Sequence, residues 1–310
     1  MSRLIDIKTI GLNIRDSLQV LIGIVQAWVL LGRIKPDVVF LKGGYVGVPI
    51  GLAAAARHIK IVTHDSDALP GLANRLVSRW ASVHATALAA NYYPYPSQKV
   101  RPVGVLVEHT YKPVNEASQT EYKKQLGLPE DAPLLLITGG SSGAQRINNV
   151  VTGFMDELLK AHPALYVIHQ VGQGQTDAYK GYLHPRLKIM GFMKPMYIYT
   201  GAANLIVTRA GGNAMAEFGT QGKACVVIPN PDLTGGHQLK NATLLEKQGA
   251  AKVIYEPDML DAHKGLLPAI EWLLSDAAAR NKLATNLRAI TIFDAAPKLA
   301  QLLLSGKDHV

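Results

Sequence analysis

The chain has 310 residues, 48% of them hydrophobic and 18% charged, with a formal net charge of +9. This composition excludes disorder and low-complexity architectures, and the length allows two domains with cores of their own. One cysteine, Cys225, excludes an internal disulfide framework and fits a reducing, cytoplasmic environment.

The basic excess is uneven, with 13 Lys and Arg against 7 Asp and Glu before residue 117 and 19 against 16 after it. Phosphorylated substrates, an anionic membrane surface or nucleic acid would each answer to it. No nucleic-acid motif is present, so nucleic acid ranks last. Leu18 to Leu31 is the most hydrophobic segment. It is too short to span a bilayer and has no cleavage site after it, so a buried helix is expected first and a membrane-surface helix second.

Asp37 to Leu41 reads as a strand buried on both faces, followed by a glycine turn, Lys42 to Pro49, and an alanine-rich helix, Gly51 to His58. The next strand, Ile59 to Thr63, delivers His64, Asp65, Ser66 and Asp67 to its C-terminal end, the edge where open α/β sheets place ligands. A helix at Asn74–Trp80 and strands at Val83–Leu88 and Val100–Val103 follow. Residues 109–131 read as a linker. The second half restarts with strand Pro133–Thr138, a glycine loop at 139–144 and a helix from Gln145. Strands at Leu165–Gln170, Leu187–Met190, Leu205–Val207, Cys225–Ile228 and Ala251–Tyr255 alternate with helices, and three helices close the chain from Gly265 to Leu304. Such alternation implies parallel sheets wound on both faces. The second domain shows about six strands and the first about four. The first also opens on a helix, so a leading strand–loop–helix unit is expected to be missing.

Thr208 to Ala251 holds the densest chemistry. A glycine turn, Ala210 to Gly212, joins a strand to a helix carrying Glu217, and N–H groups at such a helix start suit a phosphate. The loop Asp232 to Asn241 offers polar side chains to a sugar. That outlines a nucleotide-sugar site, although such turns are common in α/β proteins. Each residue also has a plainer reading: Ser141 as a helix N-cap, Glu217 as a solvated helix residue, His237 and Gln238 as loop polarity, Cys225 as a core residue.

Four stretches, KPDVVFLKGGYVGVPIGLAAA (35–55), GGSSGAQRIN (139–148), RAGGNAMAE (209–217) and HQLKNATLLEKQGAAKVI (237–254), make the chain resemble the MurG family of bacterial glycosyltransferases. The resemblance implies a GT-B fold, two Rossmann-like doubly wound domains facing a cleft, here with the first N-terminally incomplete. It assigns 1–110 to the acceptor and membrane side, 111–290 to the donor, and a helix at about 291–310 packing back on the first domain. It also implies inverting transfer of GlcNAc from UDP-GlcNAc to the 4-hydroxyl of undecaprenyl-linked MurNAc-peptide, at the cytoplasmic face of the membrane, with no cofactor or metal. Carried over by position, Ser141 would hold the diphosphate, Met193 would meet the uracil edge, and Gly212, Asn213, Ala214, Met215 and Ala216 would line ribose and phosphates. Glu217 would accept the ribose hydroxyls, His237 and Gln238 would bind GlcNAc, and Asn241 would support that helix start.

The departures from the family pattern are specific. A GGTGGH-type loop is absent, Asp67 replaces an asparagine that contacts the donor sugar, and Glu108 replaces an arginine of the donor site. With the loop histidine absent, His64 and Asp65 are the remaining candidates for the general base. Two alternatives stay open: another glycolipid transferase, or a non-catalytic or split-enzyme subunit needing a separate N-terminal polypeptide.

Overall fold

The computed structural model describes residues 7–179, 181–233 and 235–305; Thr234, in the loop expected to meet a sugar, and 306–310, within the helix expected at about 291–310, lie outside them. The chain divides into two compact units, Met1–Val105 with Asp294–Val310, and Leu106–Phe293.

The first unit runs α1 (Ile7–Ile34), β1 (Val38–Leu41), α2 (Gly47–Ala56), β2 (Lys60–Asp65), α3 (Leu72–Val77), β3 (Val83–Thr86) and β4 (Val100–Pro102), and includes the C-terminal helix Ala295–Leu304. Its four strands are parallel and lie in chain order. The alanines of α2 let it sit close to the sheet: Ala53 and Ala54 are fully buried, and a Cβ on Gly51 would stand 2.7 Å from Val77.

The structure corrects the expectation of a buried first helix. Among residues 19–34 of α1, only a narrow stripe packs inward: Ala27 and Leu31 are buried, and Gly23 approaches Pro49 of α2. Leu21, Ile22, Val25, Trp28, Val29 and Leu30 are exposed, Val25 at 64%. A helix apolar all round needs neighbours on every side to bury it, and α1 meets α2 along one stripe. No helix among the described residues is long and apolar enough to cross a membrane.

The second unit opens with α4 (Glu116–Gln125), inside the stretch read as linker. Its sequence is polar and gives no periodic signal, but Asn115 and Ser118 form a reciprocal capping box that starts it. Then come β5 (Leu134–Thr138), α5 (Gln145–Ala161), β6 (Tyr166–Gln170), β7 (Leu187–Met190), α6 (Met196–Ala202), β8 (Leu205–Thr208), α7 (Gly212–Gln221), β9 (Cys225–Val227), α8 (His237–Lys247), β10 (Lys252–Val253), α9 (Glu256–Leu260), α10 (Leu266–Ser275) and α11 (Ala277–Ile290). The parallel sheet has the order β10-β9-β8-β5-β6-β7. β5 is therefore the central strand, and the winding direction reverses between β5 and β8, where a crevice opens at the strand C-termini.

Alternate residues of β5 serve opposite cores. Leu135 and Ile137 join Phe154, Leu158 and Ile270 on one face; Leu134 and Leu136 join Ile206, Phe218 and Cys225 on the other. Burial on both faces is why the strand reads as an unbroken apolar run. Cys225 is fully buried and its thiol is pushed up by that burial, so it is a packing residue.

The loops after β5 and β6 meet backbone to backbone. A Cβ on Gly143 would stand 2.0 Å from the Val171 carbonyl oxygen, and one on Gly172 2.6 Å from that of Ser142. Beneath them Asn148 donates to Val171 O (2.8 Å) and to Gln175 Oε1 (3.0 Å), while Gln175 donates to Ser142 O (3.2 Å). Asn148 Oδ1 accepts from His169 Nε2 at 3.1 Å, and Tyr179 donates its hydroxyl to Nδ1 at 2.9 Å, which fixes a neutral imidazole. Burial pulls His169 down from 6.5 to about 3. An unfolded histidine titrates near 6.5, so the stability linked to this residue is complete above that pH and is lost as pH falls from there toward 3. Denaturant titrations across that window should show a progressive loss of stability, and His169→Gln should flatten the slope.

Candidate functional site

At the C-terminal edge of the second sheet lies a cavity of about 370 Å³. Thr138, Gln170 and Thr208, the last residues of β5, β6 and β8, form its floor; Gly140 and Ser141 come from the loop after β5. Phe192, Met193 and Met196 form an apolar wall, α7 supplies Asn213, Ala214, Glu217 and Phe218, and Tyr111 closes one side. Thr138 donates its hydroxyl to Gln170 Oε1 at 3.0 Å and accepts from Gly140 N–H at 3.1 Å, so the start of the loop is tied to the strand ends.

Two helices begin beside the cavity without side-chain caps. The N-cap of α5 is Ala144, which removes the reading of Ser141 as a cap, and the N-cap of α7 is Gly211. First-turn N–H groups lack intrahelical acceptors and carry the positive end of the helix dipole, so both helix starts suit a diphosphate. Asn213 and Glu217 stand one turn apart and share a face of α7.

Of the residues expected here, Ser141, Met193, Asn213, Ala214 and Glu217 line the cavity. Gly212 opens α7 behind them. Met215 is turned into the core beside Phe218, and Ala216 is half-buried off the lining. His237 and Gln238 start α8, apart from the lining. Gln238 Oε1 accepts from Asn230 N–H at 2.8 Å and Asn230 Oδ1 from Asp232 N–H at 3.0 Å, which folds the segment 230–232 toward the start of α8. His237 Nδ1 is buried without a hydrogen-bond partner. Asn241 donates to Ala210 O at 2.9 Å and pins α8 to the glycine turn.

An ion-pair network joins the same loops. Glu256, buried at the start of α9, takes Arg209 at 2.9 Å and also Arg146, while Arg146 reaches Asp232 at 2.7 Å. The two glycine motifs thus share one carboxylate, and Arg146 links them to Asp232. No spacing in the chain signals this network, because the four residues are scattered. Thr138 and Thr208 were within reach of sequence reasoning as the polar ends of apolar strands. Tyr111, lying in the supposed linker, was not.

Glu217 is half-buried, and burial raises its pKa; Tyr111, which lines the same cavity, lowers it, and Glu108 raises it.

In the first unit, His64 and Asp65 end β2 and are buried. His64 Nε2 donates to Gly104 O at 2.9 Å, and burial lowers its pKa, keeping the ring neutral at neutral pH. Asp65 Oδ1 accepts from Asn74 (2.9 Å) and from Gly71 N–H (3.1 Å), and Oδ2 from Tyr95 (2.9 Å). Both side chains are thus engaged in holding neighbouring loops. Asp67 is half-buried, and its carbonyl accepts from Tyr93.

Residues 7–86 match the glycosyltransferase family 28 N-terminal domain, and residues 134–295 match the family's C-terminal domain. A UDP-N-acetylglucosamine–N-acetylmuramyl-(pentapeptide) pyrophosphoryl-undecaprenol N-acetylglucosamine transferase of Salinibacter ruber is 33% identical over 305 residues, covering 97% of this chain and 80% of that protein. The crystal structure of Acinetobacter baumannii MurG superposes with a TM-score of 0.73 at 26% identity, over 93% of this chain and 79% of that one. A UDP-GlcNAc 2-epimerase from Neisseria meningitidis bound to UDP-GlcNAc, at 16% identity and a TM-score of 0.64 over 92% and 81%, shares the fold alone. The two parallel-sheet units are those of a GT-B glycosyltransferase, and the chain belongs to glycosyltransferase family 28.

Proposed function

We propose that this hexosyltransferase moves GlcNAc from UDP-GlcNAc to the 4-hydroxyl of undecaprenyl-diphosphate-linked MurNAc-peptide, with inversion, as a step of peptidoglycan synthesis. The observation that carries the reading is the cavity at the switch point of the second sheet. It combines an apolar slot at Met193, two uncapped helix starts and the Glu217 carboxylate. A uracil fits the slot beside Phe192 and Met193, the ribose hydroxyls donate to Glu217, and the diphosphate meets the starts of α5 and α7. The loop 229–236 and α8 follow, where His237 Nδ1 offers a buried polar atom to the sugar.

In the reaction the acceptor hydroxyl oxygen attacks the anomeric carbon as the bond to UDP breaks, and a general base takes the hydroxyl proton. Charge then grows on the departing diphosphate, where fixed N–H dipoles stabilise it. Holding both substrates in register supplies much of the remaining acceleration. We assign His64 and Asp65 to positioning of the loops at 104 and 71, in keeping with their burial and bonding. Neither is assigned as the base. The exposed apolar face of α1, in the more basic part of the chain, supports peripheral docking on an anionic cytoplasmic membrane surface that carries the acceptor.

UDP-GlcNAc at a hundred-fold excess over its Kd should raise the melting temperature by roughly 5–10 °C, and Glu217→Ala should abolish the shift. An unchanged wild-type Tm sinks the donor reading. The chain should transfer labelled GlcNAc to a lipid I analogue. Donor binding without transfer, with activity restored by a separate polypeptide, would turn the assignment to a split-enzyme subunit. Sedimentation with anionic vesicles should fall at least about tenfold in Val25→Glu; equal binding by the variant would remove α1 from the membrane surface.

A further inference from the structure

Arg146 lies in the first turn of α5, and Glu256 at the start of α9 holds its guanidinium. Glu256 is buried and also binds Arg209 at 2.9 Å, while Arg209 donates to Ile228 O at 3.2 Å. The residues that follow β8 and β9 are thereby joined to the starts of α5 and α9 through one carboxylate. From this anchor Arg146 reaches Asp232 at 2.7 Å, in a pair that is 52% and 65% exposed.

An exposed ion pair ordinarily contributes little, because ordering two mobile side chains offsets most of the attraction. Here much of that ordering is already imposed, since Glu256 holds the guanidinium and aspartate has a short stem. The Asp232 N–H in turn donates to Asn230 Oδ1 at 3.0 Å, and the Asn230 N–H donates to Gln238 Oε1 at 2.8 Å. That second bond fixes which end of the Gln238 amide is oxygen, so its NH2 is the group left to donate. Contacts thus run unbroken from buried Glu256 through Arg146, Asp232 and Asn230 to Gln238 at the head of α8.

We propose that Arg146 and Asp232 are positioning residues: their ion pair tethers Gln238 to the start of α5, and so sets affinity for the sugar of a nucleoside-diphosphate sugar but not for the nucleotide. Neither side chain lines the nucleotide cavity, so neither meets the nucleotide there. The inference rests on the sugar-nucleotide reading above, in which the diphosphate meets the start of α5 and the sugar meets α8. With the pair broken, Asn230 and Gln238 keep their mutual bond but lose their link to α5. The distance between sugar and diphosphate contacts is then no longer fixed.

The test measures Kd for UDP and for UDP-GlcNAc by calorimetry on the wild type, D232N, D232E, R146Q and the R146Q/D232N double variant. D232N should weaken UDP-GlcNAc about three- to fivefold and leave UDP within about twofold. D232E keeps the charge and should restore most of the loss. The double variant should bind UDP-GlcNAc no more weakly than R146Q, because the tether is already cut. Wild-type affinity in D232N, an equal loss of both ligands, or losses that multiply in the double variant would each overturn the proposal. Asp232 is exposed, so D232N and D232E decide the matter if R146Q folds poorly. In the ligand-free proteins, NMR should show the Asn230 amide proton exchanging at least about threefold faster in D232N; unchanged exchange also overturns the tether. A wild type that binds UDP but not UDP-GlcNAc overturns both the sugar reading and the proposal. If it binds neither, the nucleotide reading falls, and amide exchange alone decides the Arg146–Asp232 tether.

Discussion

The second unit depends on the close approach of two backbone segments, the loop after β5 and the end of β6. With a Cβ on Gly143 only 2.0 Å from Val171 O, no side chain fits there, and the strands deliver their loops to one edge at a fixed separation. The polar groups exposed by that approach are satisfied from below. Asn148 uses both its amide hydrogens and its oxygen, and His169 stays neutral to serve it. A buried network of this kind stabilises only when every member is paired. The position of Gly140 and Ser141 over the cavity follows from it.

A second set of constraints works through charge. Glu256 binds arginines from two glycine motifs, and one of them extends to Asp232. Removing either kind of partner would leave a buried charge uncompensated, so the loops around the cavity are fixed as a group. The cavity itself holds few charges. Glu217 is the single carboxylate of its lining, which it shares with the buried ring of Tyr111.

Sequence patterns rendered some elements well and others poorly, for identifiable reasons. β5 was legible because both faces are buried, so its run of leucines could end only at a sheet edge. The expected four and six strands, and the GT-B class with its glycosyltransferase family, agree with the structure and its relatives. Helix α4 escaped notice because its stability comes from an Asn115–Ser118 cap and not from an apolar stripe. The exposure of α1 was misjudged because hydrophobicity shows what a helix can bury, not which neighbours are there to bury it. Within the site, the glycine motifs placed Ser141, Asn213 and Glu217 around one cavity, but period alone did not show that Met215 turns into the core.

By itself the sequence determined the strand–loop–helix rhythm, the glycines without which the loops cannot close, and the motifs that mark the family. Those are local properties, fixed by backbone sterics and by which residues are apolar. Only the tertiary structure decided that Tyr111 and Glu217 line one cavity, that Glu256 ties Arg146 to Arg209, and that His169 supports a loop from beneath. These contacts join residues far apart in the chain. No spacing rule predicts them, because they exist only once the parallel sheet has brought its strand ends to one edge.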